Sequence, residues 1–471
     1  MAFTVAALLI HGYHPYVEDA EIYLPGVLKI LNPSLFPANA EFFGEHAGHT
    51  LYPNLIAMSV RITHLPLPWA AFSWHLMSIF LLLAGTWRVA SVLFEEPAAR
   101  WAAVAFMAAL LTLPVAGTAL YIQDQYLNPR NLAAFAAMFA VADVLRRKYA
   151  AMVVWLLFAA LVHPLMSSFA IAFCAWLVLL RSYRPQILGF AMLLPFGIFD
   201  PAPPAYHEVA LRQPYFFVTR WEWYEWLGLI GPVLLFWWFA RLARRRGMDN
   251  VELVSRAMIP FILVATAAAV ILAIPARFEA LARFEPLRCL ALGYMLLIVI
   301  GGGFLGQDLL RARIWRWLVL FVPLSFGMYF AQRQLFPATA HIEWPSAPPR
   351  NLWAQAFDWI RENTPTDAFF ALNPNHMALA GEDENGFRAR AQRSMLADAV
   401  KDKGAASAFP PLATDWMEQV EDQKNWKDFG KEDYQRLRKK YGINWVVLDQ
   451  PASVGFDCPY QNAAVKVCRL D

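Results

Sequence analysis

The sequence predicts a polytopic α-helical membrane protein with about ten or eleven spans, followed by a small C-terminal α/β domain. The first observation is composition, because 58% of the 471 residues are hydrophobic and only 16% are charged. The second is the uneven charge: residues 54–335 contain long apolar runs, whereas 336–471 contain frequent Asp, Glu, Lys and Arg. We therefore predict a multi-span membrane domain at 1–335, with a structured first outer loop at 11–67, and an extracytoplasmic domain at 336–471, called the outer domain.

The individual spans are predicted from apolar runs that approach the roughly 20 residues needed to cross a bilayer. They are 69–94, 101–121, 131–145, 150–163, 165–181, 186–199, 225–242, 255–274, 289–306 and 314–331. His163 and Pro164 interrupt one long run, which we interpret as a tight hairpin between two spans. Only ten residues precede His11, so the first helix is either a stub or truncated by a misassigned start. The glycines at 301–303 lie inside a span and predict helix packing rather than a phosphate-binding loop.

Basic residues in short loops predict the orientation in the membrane. Counted along the spans, the basic clusters all fall on one side, which we assign to the cytoplasm. They are Arg146, Arg147 and Lys148; Arg181 and Arg184; Arg241, Arg244, Arg245 and Arg246; and Arg311, Arg313 and Arg316. The first loop and the outer domain then face outward. Cys458 and Cys468 are expected to form a disulfide there, the alternative being two unpaired thiols in a buried strand pair.

The first loop begins with HGYHPYVEDAEIYLPG, which places His14, Glu18, Asp19 and Glu21 immediately behind the first apolar segment. Carboxylates at a membrane interface are costly and usually functional, as a general base or as metal ligands. The alternative is that Glu18 or Asp19 caps the following helix. Two stretches in this loop, 23–37 and 51–66, predict amphipathic helices.

A second outer loop contains IQDQYLNPR, with Asp124, Tyr126 and Arg130 between two spans. In one interpretation Asp124 and Arg130 pair with each other, while Asn128 and Pro129 start the next helix. In the other, Asp124 joins the first-loop acids and Arg130 binds an anion such as phosphate. Weaker candidates are His163, which could be merely interfacial, and Arg288, which could help to hold a phosphate or belong to a charge-paired connector.

The outer domain alternates predicted helices and strands, as a small α/β layer does. A helix is predicted from Asn351 to Pro365, a strand at 367–374, a helix ended by Gly442, and two further strands at 443–449 and 464–470. The motif GFRARAQRS displays Arg388, Arg390 and Arg393. These arginines are expected to form a solvated helix face or to bind an anionic sugar or lipid head group.

The motifs HPYVEDAEIYLPG, IQDQYLNPR, WIRENTPTDAFFALNP and GFRARAQRS resemble a bacterial branch of the GT-C superfamily of membrane glycosyltransferases. That superfamily includes oligosaccharyltransferase catalytic subunits, protein O-mannosyltransferases and the aminoarabinose transferase of lipid A. The chain departs from it in having adjacent Glu18 and Asp19 instead of Asp-x-Asp. It also lacks a WWDYG-like motif in the outer domain, which disfavours transfer to a peptide.

The resemblance implies an enzyme of the bacterial inner membrane that transfers sugar from a polyprenyl-phosphate donor. It implies Asp19 as the base, Glu18 as its partner, and Asp124 as an orienting or metal-binding acid. Arg130 or Arg288 would hold the lipid phosphate. The implied partners are the bilayer, the lipid-linked donor and an undefined acceptor; a Mg²⁺ or Mn²⁺ ion held by Asp19 and Asp124 is an open alternative. The net charge of +3 gives no indication of nucleic-acid binding.

Two other functional classes compete with this interpretation. A transporter or flippase for an amphiphilic lipid-linked substrate would need polar residues at mid-depth and broken helices, and the predicted spans carry almost no charge there. A non-catalytic scaffold would have acids that point apart or cap helices. Acids that converge in a cavity at the outer face would favour the enzyme.

Overall fold

The computed structural model describes residues 1–182, 203–273, 279–452 and 455–470. Among these residues, six helices are long and apolar enough to cross a membrane: Leu67–Leu93, Pro164–Arg181, Trp223–Arg245, Asp249–Ala273, Pro286–Leu310 and Ile314–Leu335. The predicted class, a helical membrane protein with a C-terminal domain that contains a small sheet, is confirmed. The total of ten or eleven spans stays a prediction, since the span at 186–199 and Arg184 lie outside the described residues.

The membrane domain and its first loop are almost entirely helical. In chain order the helices are α1 (Ala2–His11), α2 (Ala20–Leu31), α3 (Glu41–Gly48), α4 (Tyr52–Thr63), α5 (Leu67–Leu93), α6 (Pro97–Ala109), α7 (Pro129–Leu145), α8 (Tyr149–Val162), α9 (Pro164–Ser182), α10 (Ala205–Leu211), α11 (Trp223–Arg245), α12 (Asp249–Ala273), α13 (Glu279–Ala282), α14 (Leu290–Leu305) and α15 (Ile314–Leu335). The amphipathic helices predicted in the first loop correspond to α2 and α4. A break at His163 separates α8 from α9, as the hairpin interpretation requires.

The predicted span at 101–121 is wrong, because α6 ends at Ala109. The chain then forms a short antiparallel hairpin of β1 (Pro114–Val115) and β2 (Leu120–Tyr121). Gly117 turns this hairpin with φ +66°, and a Cβ there would lie 2.1 Å from the Trp221 ring. The left-handed turn and the close aromatic contact both require glycine. As a result, the following acidic loop is placed over the end of the bundle.

The glycine cluster in α14 packs against α6. A Cβ on Gly302 would lie 3.0 Å from the Cα of Ala103, and one on Gly306 would lie 2.5 Å from the carbonyl oxygen of Ala98. Small residues therefore let the two backbones approach closely, which is the usual basis of helix association in a membrane. The prediction of helix packing, rather than a phosphate loop, agrees with this arrangement.

Substituting Gly306 with Ala is expected to lower the free energy of unfolding by about 1–3 kcal/mol, because the added methyl meets the α6 backbone. The matched control is Gly301→Ala, whose Cβ would meet only the Phe239 ring edge, at 3.5 Å. Thermal unfolding of the purified protein in one detergent measures both variants. Equal melting temperatures for Gly306→Ala and Gly301→Ala would contradict close packing of α6 on α14.

Several of the basic clusters lie together at one end of the bundle. The Arg181 guanidinium donates to the carbonyl oxygens of Val144 and Leu145, at the end of α7, and to Asn250 Oδ1. Arg246 pairs with Asp308 at 2.9 Å, which joins the end of α11 to the segment after α14. The helix ends predicted to be cytoplasmic therefore share one face. Which compartment this face meets stays a prediction.

The outer domain is a mixed five-stranded sheet with helices around it. Its helices are α16 (Leu352–Asn363), α17 (Phe387–Ala391), α18 (Asp402–Ala408), α19 (Ala413–Asp422) and α20 (Lys431–Tyr441). Its strands are β3 (Phe369–Leu372), β4 (Ser394–Met395), β5 (Trp445–Asp449), β6 (Asp457–Gln461) and β7 (Val465–Arg469). The order is β4-β3-β5-β7-β6, with β3 parallel to β4 and β5, and β7 antiparallel to β5 and β6.

The sheet includes two strands that the sequence prediction missed, β4 and β6. Strand β6 contains Pro459, and proline usually argues against a strand because it has no amide hydrogen to donate. However, β6 lies at the sheet edge, where proline is tolerated. Cys458 of β6 and Cys468 of β7 form a disulfide, with their Cα atoms 3.9 Å apart. On the other side of the domain, Trp353, Phe357 and Ile360 of α16 are buried in the core.

The first loop and the outer domain interlock through backbone hydrogen bonds. The Glu18 amide donates to the Glu384 carbonyl at 2.9 Å, and the Gly386 amide donates to the Tyr16 carbonyl at 2.7 Å. A further bridge pairs Tyr13 with Ile342, in the segment that connects α15 to the outer domain. Residues of the outer domain are thereby fixed beside the first-loop acids.

Candidate functional site

The centre of the candidate site is Arg130, which joins acids from two different loops. Its Nη1 donates to Asp19 Oδ2 at 2.7 Å, and its Nη2 donates to Asp124 Oδ2 at 3.2 Å. Arg130 stands in the first turn of α7, where its amide donates to the capping side chain of Asn128 at 2.9 Å. Pro129 occupies the first helical position, as predicted. Asp124 therefore pairs with Arg130, as the first interpretation has it, and through Arg130 it also joins a first-loop acid. The binding of an anion by Arg130 stays a prediction.

A second cation reaches the same acids from the outer domain. Lys401 Nζ donates to Glu18 Oε2 at 2.9 Å and to Asp19 Oδ1 at 3.2 Å. Lys401 lies directly before α18, 382 residues away from Asp19 along the chain. The sequence analysis assigned it no role, because no local pattern indicates a contact over that separation.

The capping interpretation of Asp19 is wrong. Asp19 does precede α2, but its two carboxylate oxygens bond to Arg130 and Lys401 rather than to the amides of the helix. Its own amide donates to the Tyr126 hydroxyl at 3.2 Å, so Tyr126 supports the loop from beneath. The Tyr126 ring is buried with Val17, Ala20 and Phe336. Asp19 is therefore held from both sides in a fixed orientation.

The acids of this site differ strongly in acidity. Burial raises the pKa of Asp124 to about 6, and the neighbouring Arg130 only partly offsets this. Burial acts on Asp19 in the same sense, but Lys401 and Arg130 outweigh it and lower the pKa of Asp19. Glu384 faces Glu18, and burial together with that second carboxylate raises the pKa of Glu384 to about 8. Near neutral pH, Asp19 is ionised, whereas Glu384 retains a proton.

A narrow cavity of about 30 Å³, with room for about two water molecules, lies beside Asp124 and Arg130 between the helices. Its apolar walls come from α7, α9, α14 and the β1–β2 hairpin: Leu120, Ile122, Ala133, Ala134, Ala137, Met166, Phe169, Ala170, Ala291, Leu292 and Met295. Arg288 also lines it and pairs with Glu285 at 2.5 Å. The cavity thus combines apolar walls with two guanidinium groups.

Two of the predicted substrate-binding residues have buried structural partners instead. Glu21 accepts from the amides of Arg388 and Ala389, each at 3.0 Å, and so fastens the first loop to α17. The Arg388 guanidinium binds both carboxylate oxygens of Asp402, at 2.9 and 2.7 Å, and also reaches Glu21. With 1% of its side chain exposed, Arg388 has no access to a head group.

The solvated helix face predicted for Arg388, Arg390 and Arg393 is wrong, because all three are buried. Arg390 pairs with Asp358 at 2.9 Å and Glu343 at 3.3 Å. Arg393 donates to the Arg361 and Thr364 carbonyls at the end of α16. Each guanidinium satisfies acceptors inside the protein, which a charge must do once it is buried.

The two predicted histidines bond to groups other than Asp19, Asp124 and Arg130 among the contacts that the structure describes. His14 Nδ1 bonds Glu343 Oε1 at 3.3 Å, and its ring packs on Phe336 with centroids 4.3 Å apart. His163 Nδ1 accepts from the Met166 amide at 3.3 Å, at the start of α9. His14 therefore joins the first loop to the segment before the outer domain, and His163 caps a helix.

The residues around Asp19 do not fit a divalent cation. Across the parts of the chain that the structure describes, no group of three or more His, Cys, Asp or Glu side chains could hold a metal ion. Asp19 already has one oxygen on Arg130 and the other on Lys401. A metal there would displace a fixed positive charge and would lie beside another, which electrostatic repulsion opposes.

No protein-family model and no curated protein matches this chain. Two solved structures of an oligosaccharyltransferase from Archaeoglobus fulgidus are similar to it. One is the enzyme AglB in complex with an inhibitory peptide and a dolichol-phosphate; it has a TM-score of 0.46 and 11% identity, with 95% of this chain and 68% of that chain covered. The other is an apo form, with a TM-score of 0.48, 10% identity, and 95% and 69% covered.

Proposed function

We propose that this protein is a membrane glycosyltransferase of the GT-C type. It transfers a sugar from a polyprenyl-phosphate donor to an acceptor hydroxyl at the extracytoplasmic face of a bacterial inner membrane. The observation that supports this best is Arg130, which holds carboxylates from two outer loops at the mouth of an apolar cavity. Convergent acids and cations at such a cavity are the features of a reaction site, whereas a scaffold requires none.

The cavity suits the lipid part of the donor. Its alanine, leucine, methionine and phenylalanine walls would contact a prenyl chain once the helices around the cavity move apart, since apolar surface is stabilised by contact with apolar surface. Arg130 and Arg288 line the same cavity and would bind the phosphate, because guanidinium groups bond its oxygens in pairs. The sugar would then extend from the phosphate toward Asp19.

The proposed reaction is a displacement at the anomeric carbon. The acceptor oxygen forms the new bond to this carbon while its proton passes to a carboxylate. The bond from the carbon to the phosphate oxygen breaks, and the electron pair leaves with the lipid phosphate. Arg130 and Arg288 stabilise the negative charge that develops on this leaving group.

Asp19 is the proposed base, with Glu18 as its partner. The Asp19 side chain is 22% exposed and the Asp124 side chain 6%, so an acceptor reaches Asp19 more readily. Asp124 is given the role of orienting Arg130, which it contacts at 3.2 Å. A carboxylate with a lowered pKa is a weak base, and it can still act by orienting the hydroxyl and stabilising positive charge on the sugar.

A transfer assay tests the proposal. The purified protein in liposomes is supplied with a series of polyprenyl-phosphate sugars and a mixture of lipid and saccharide acceptors, and labelled product is measured. Consumption of donor with release of polyprenyl phosphate supports the transferase. Movement of intact donor across the bilayer without product would instead identify a flippase. If neither transfer nor movement is observed, the scaffold becomes the explanation.

The rate of transfer is expected to fall as the pH drops through about 6. Burial raises the pKa of Asp124 to about 6, so protonation removes its charge below that value and releases its hold on Arg130. The measurement is kcat/KM against pH, with Asp124→Asn as the comparison because an amide does not titrate. An inflection that persists in this variant would show that another group controls the acid limb.

A further inference from the structure

Among the contacts that the structure describes for Glu18 and Asp19, Lys401 is the cation that the outer domain contributes. Its ammonium lies between Glu18 Oε2 and Asp19 Oδ1, at 2.9 and 3.2 Å, and its side chain is 15% exposed. Glu384 faces Glu18, and its charge helps to raise the pKa of Lys401. A compact point charge held by carboxylate oxygens from separate residues is the arrangement that a bound cation would also have.

The position of Lys401 is fixed by a chain of buried polar contacts. Asp398 Oδ1 accepts from the amide of Lys401 at 2.5 Å, and the amide of Asp398 donates to Asp402 Oδ2 at 3.0 Å. Asp402 in turn holds Arg388, which contacts Glu21 of the first loop. The segment that carries Lys401 is therefore tied to the same loop as the acids it meets, so its position is set before any substrate binds.

We infer that the ammonium of Lys401 is the resident cation of this site, in the place that a divalent metal would take between the first-loop carboxylates. Together with Arg130, Lys401 uses both oxygens of Asp19. Two fixed positive charges this close repel a third, so the intact site excludes Mg²⁺ and Mn²⁺. The importance of Lys401 for catalysis rests on the proposed function, whereas the test of the exclusion of metal ions does not.

The consequence is that the outer domain is part of the reaction site. Lys401 acts as a positioning residue, because it orients Asp19 and Glu18 and balances their charge. Removing it should uncover two carboxylates that are already held close together. Such a pair, with Glu384 beside it, presents the oxygen ligands that hard divalent cations prefer.

A Mn²⁺ binding experiment tests the inference without any substrate. Binding is measured as the decrease of the electron paramagnetic resonance signal of the free ion. The wild type is expected to bind no Mn²⁺ that depends on Asp19. Lys401→Ala is expected to gain one Mn²⁺ site per chain, with a dissociation constant of about 10⁻⁴ M. Adding Asp19→Asn to this variant is expected to abolish the site. Lys401→Arg, which keeps the positive charge, should remain closed to the ion.

The matched control is Lys403→Ala, which removes an ammonium two residues further along, on α18. It should bind no more Mn²⁺ than the wild type. Wild-type binding that Asp19→Asn abolishes would overturn the inference, and so would a folded Lys401→Ala variant that gains no site. If Lys401→Ala does not fold, as judged by thermal unfolding, the wild type and Lys401→Arg decide: Asp19-dependent binding in either overturns the inference.

Discussion

Replacing Asp19 with Asn is expected to lower the rate of sugar transfer by at least about 100-fold, since an amide neither accepts the acceptor proton nor balances two cations. Asn is nearly isosteric with Asp and leaves the loop backbone in place. The hydrogen bond from the Asp19 amide to the Tyr126 hydroxyl does not involve the carboxylate. The expected loss is therefore in kcat, with little change in the melting temperature.

The matched control is Glu41→Gln, which neutralises an exposed acid of the same loop, at the start of α3. This variant should transfer sugar at the wild-type rate. Asp124→Asn separates the two acids that Arg130 holds, because it should weaken donor binding through Arg130 and raise KM. Asp19→Asn that folds and transfers sugar at the wild-type rate would remove Asp19 from the mechanism.

The acids of the site could be predicted because their signal is local. Glu18 and Asp19 follow an apolar segment directly, and Asp124 and Arg130 lie within one short loop between apolar runs. Charge next to a membrane segment is rare enough to be informative by itself. The structure brings these residues together, although no single motif requires Arg130 to contact Asp19.

Contacts across the chain could not be predicted in this way. Lys401 is separated from Glu18 by 383 residues, and Arg388 is separated from Glu21 by 367 residues. On a helix of ordinary polarity, an arginine is exposed far more often than buried, so Arg388, Arg390 and Arg393 read as a solvated face. Their acceptors come from the first loop, from Glu343 in the segment after α15, from α16 and the residue after it, and from Asp402 of α18. Only the folded chain brings these groups near the three arginines.

The short helix α6 shows a different limit of sequence patterns. Residues 101–121 are apolar throughout and long enough to span, yet the helix ends at Ala109. Apolar runs identify burial, whereas the end of a helix depends on residues such as Pro114 and Gly117. The reduced length matters for function, since it leaves room for the loop that carries Asp124.

Replacing Arg388 with Met is expected to lower the free energy of unfolding by about 3–5 kcal/mol, because it leaves the buried Asp402 carboxylate and the buried Glu21 side chain without their partner. Arg388 binds Asp402 through two hydrogen bonds and Glu21 through a third, and all three side chains are at most 1% exposed. Met has a similar length and fills the space, so the loss is electrostatic. Thermal and denaturant unfolding in detergent measure it.

The control is Arg436→Met, which breaks an exposed pair with Asp422 in the same domain and should cost no more than about 1 kcal/mol. Adding Glu21→Gln to Arg388→Met should cost less than the sum of the two single changes, since the two side chains contact each other at 3.3 Å. Additive losses in the double variant would show that Glu21 and Arg388 act independently. A combined loss smaller than the sum would establish that the first loop and the outer domain are joined through this buried network, which also sets the position of Lys401.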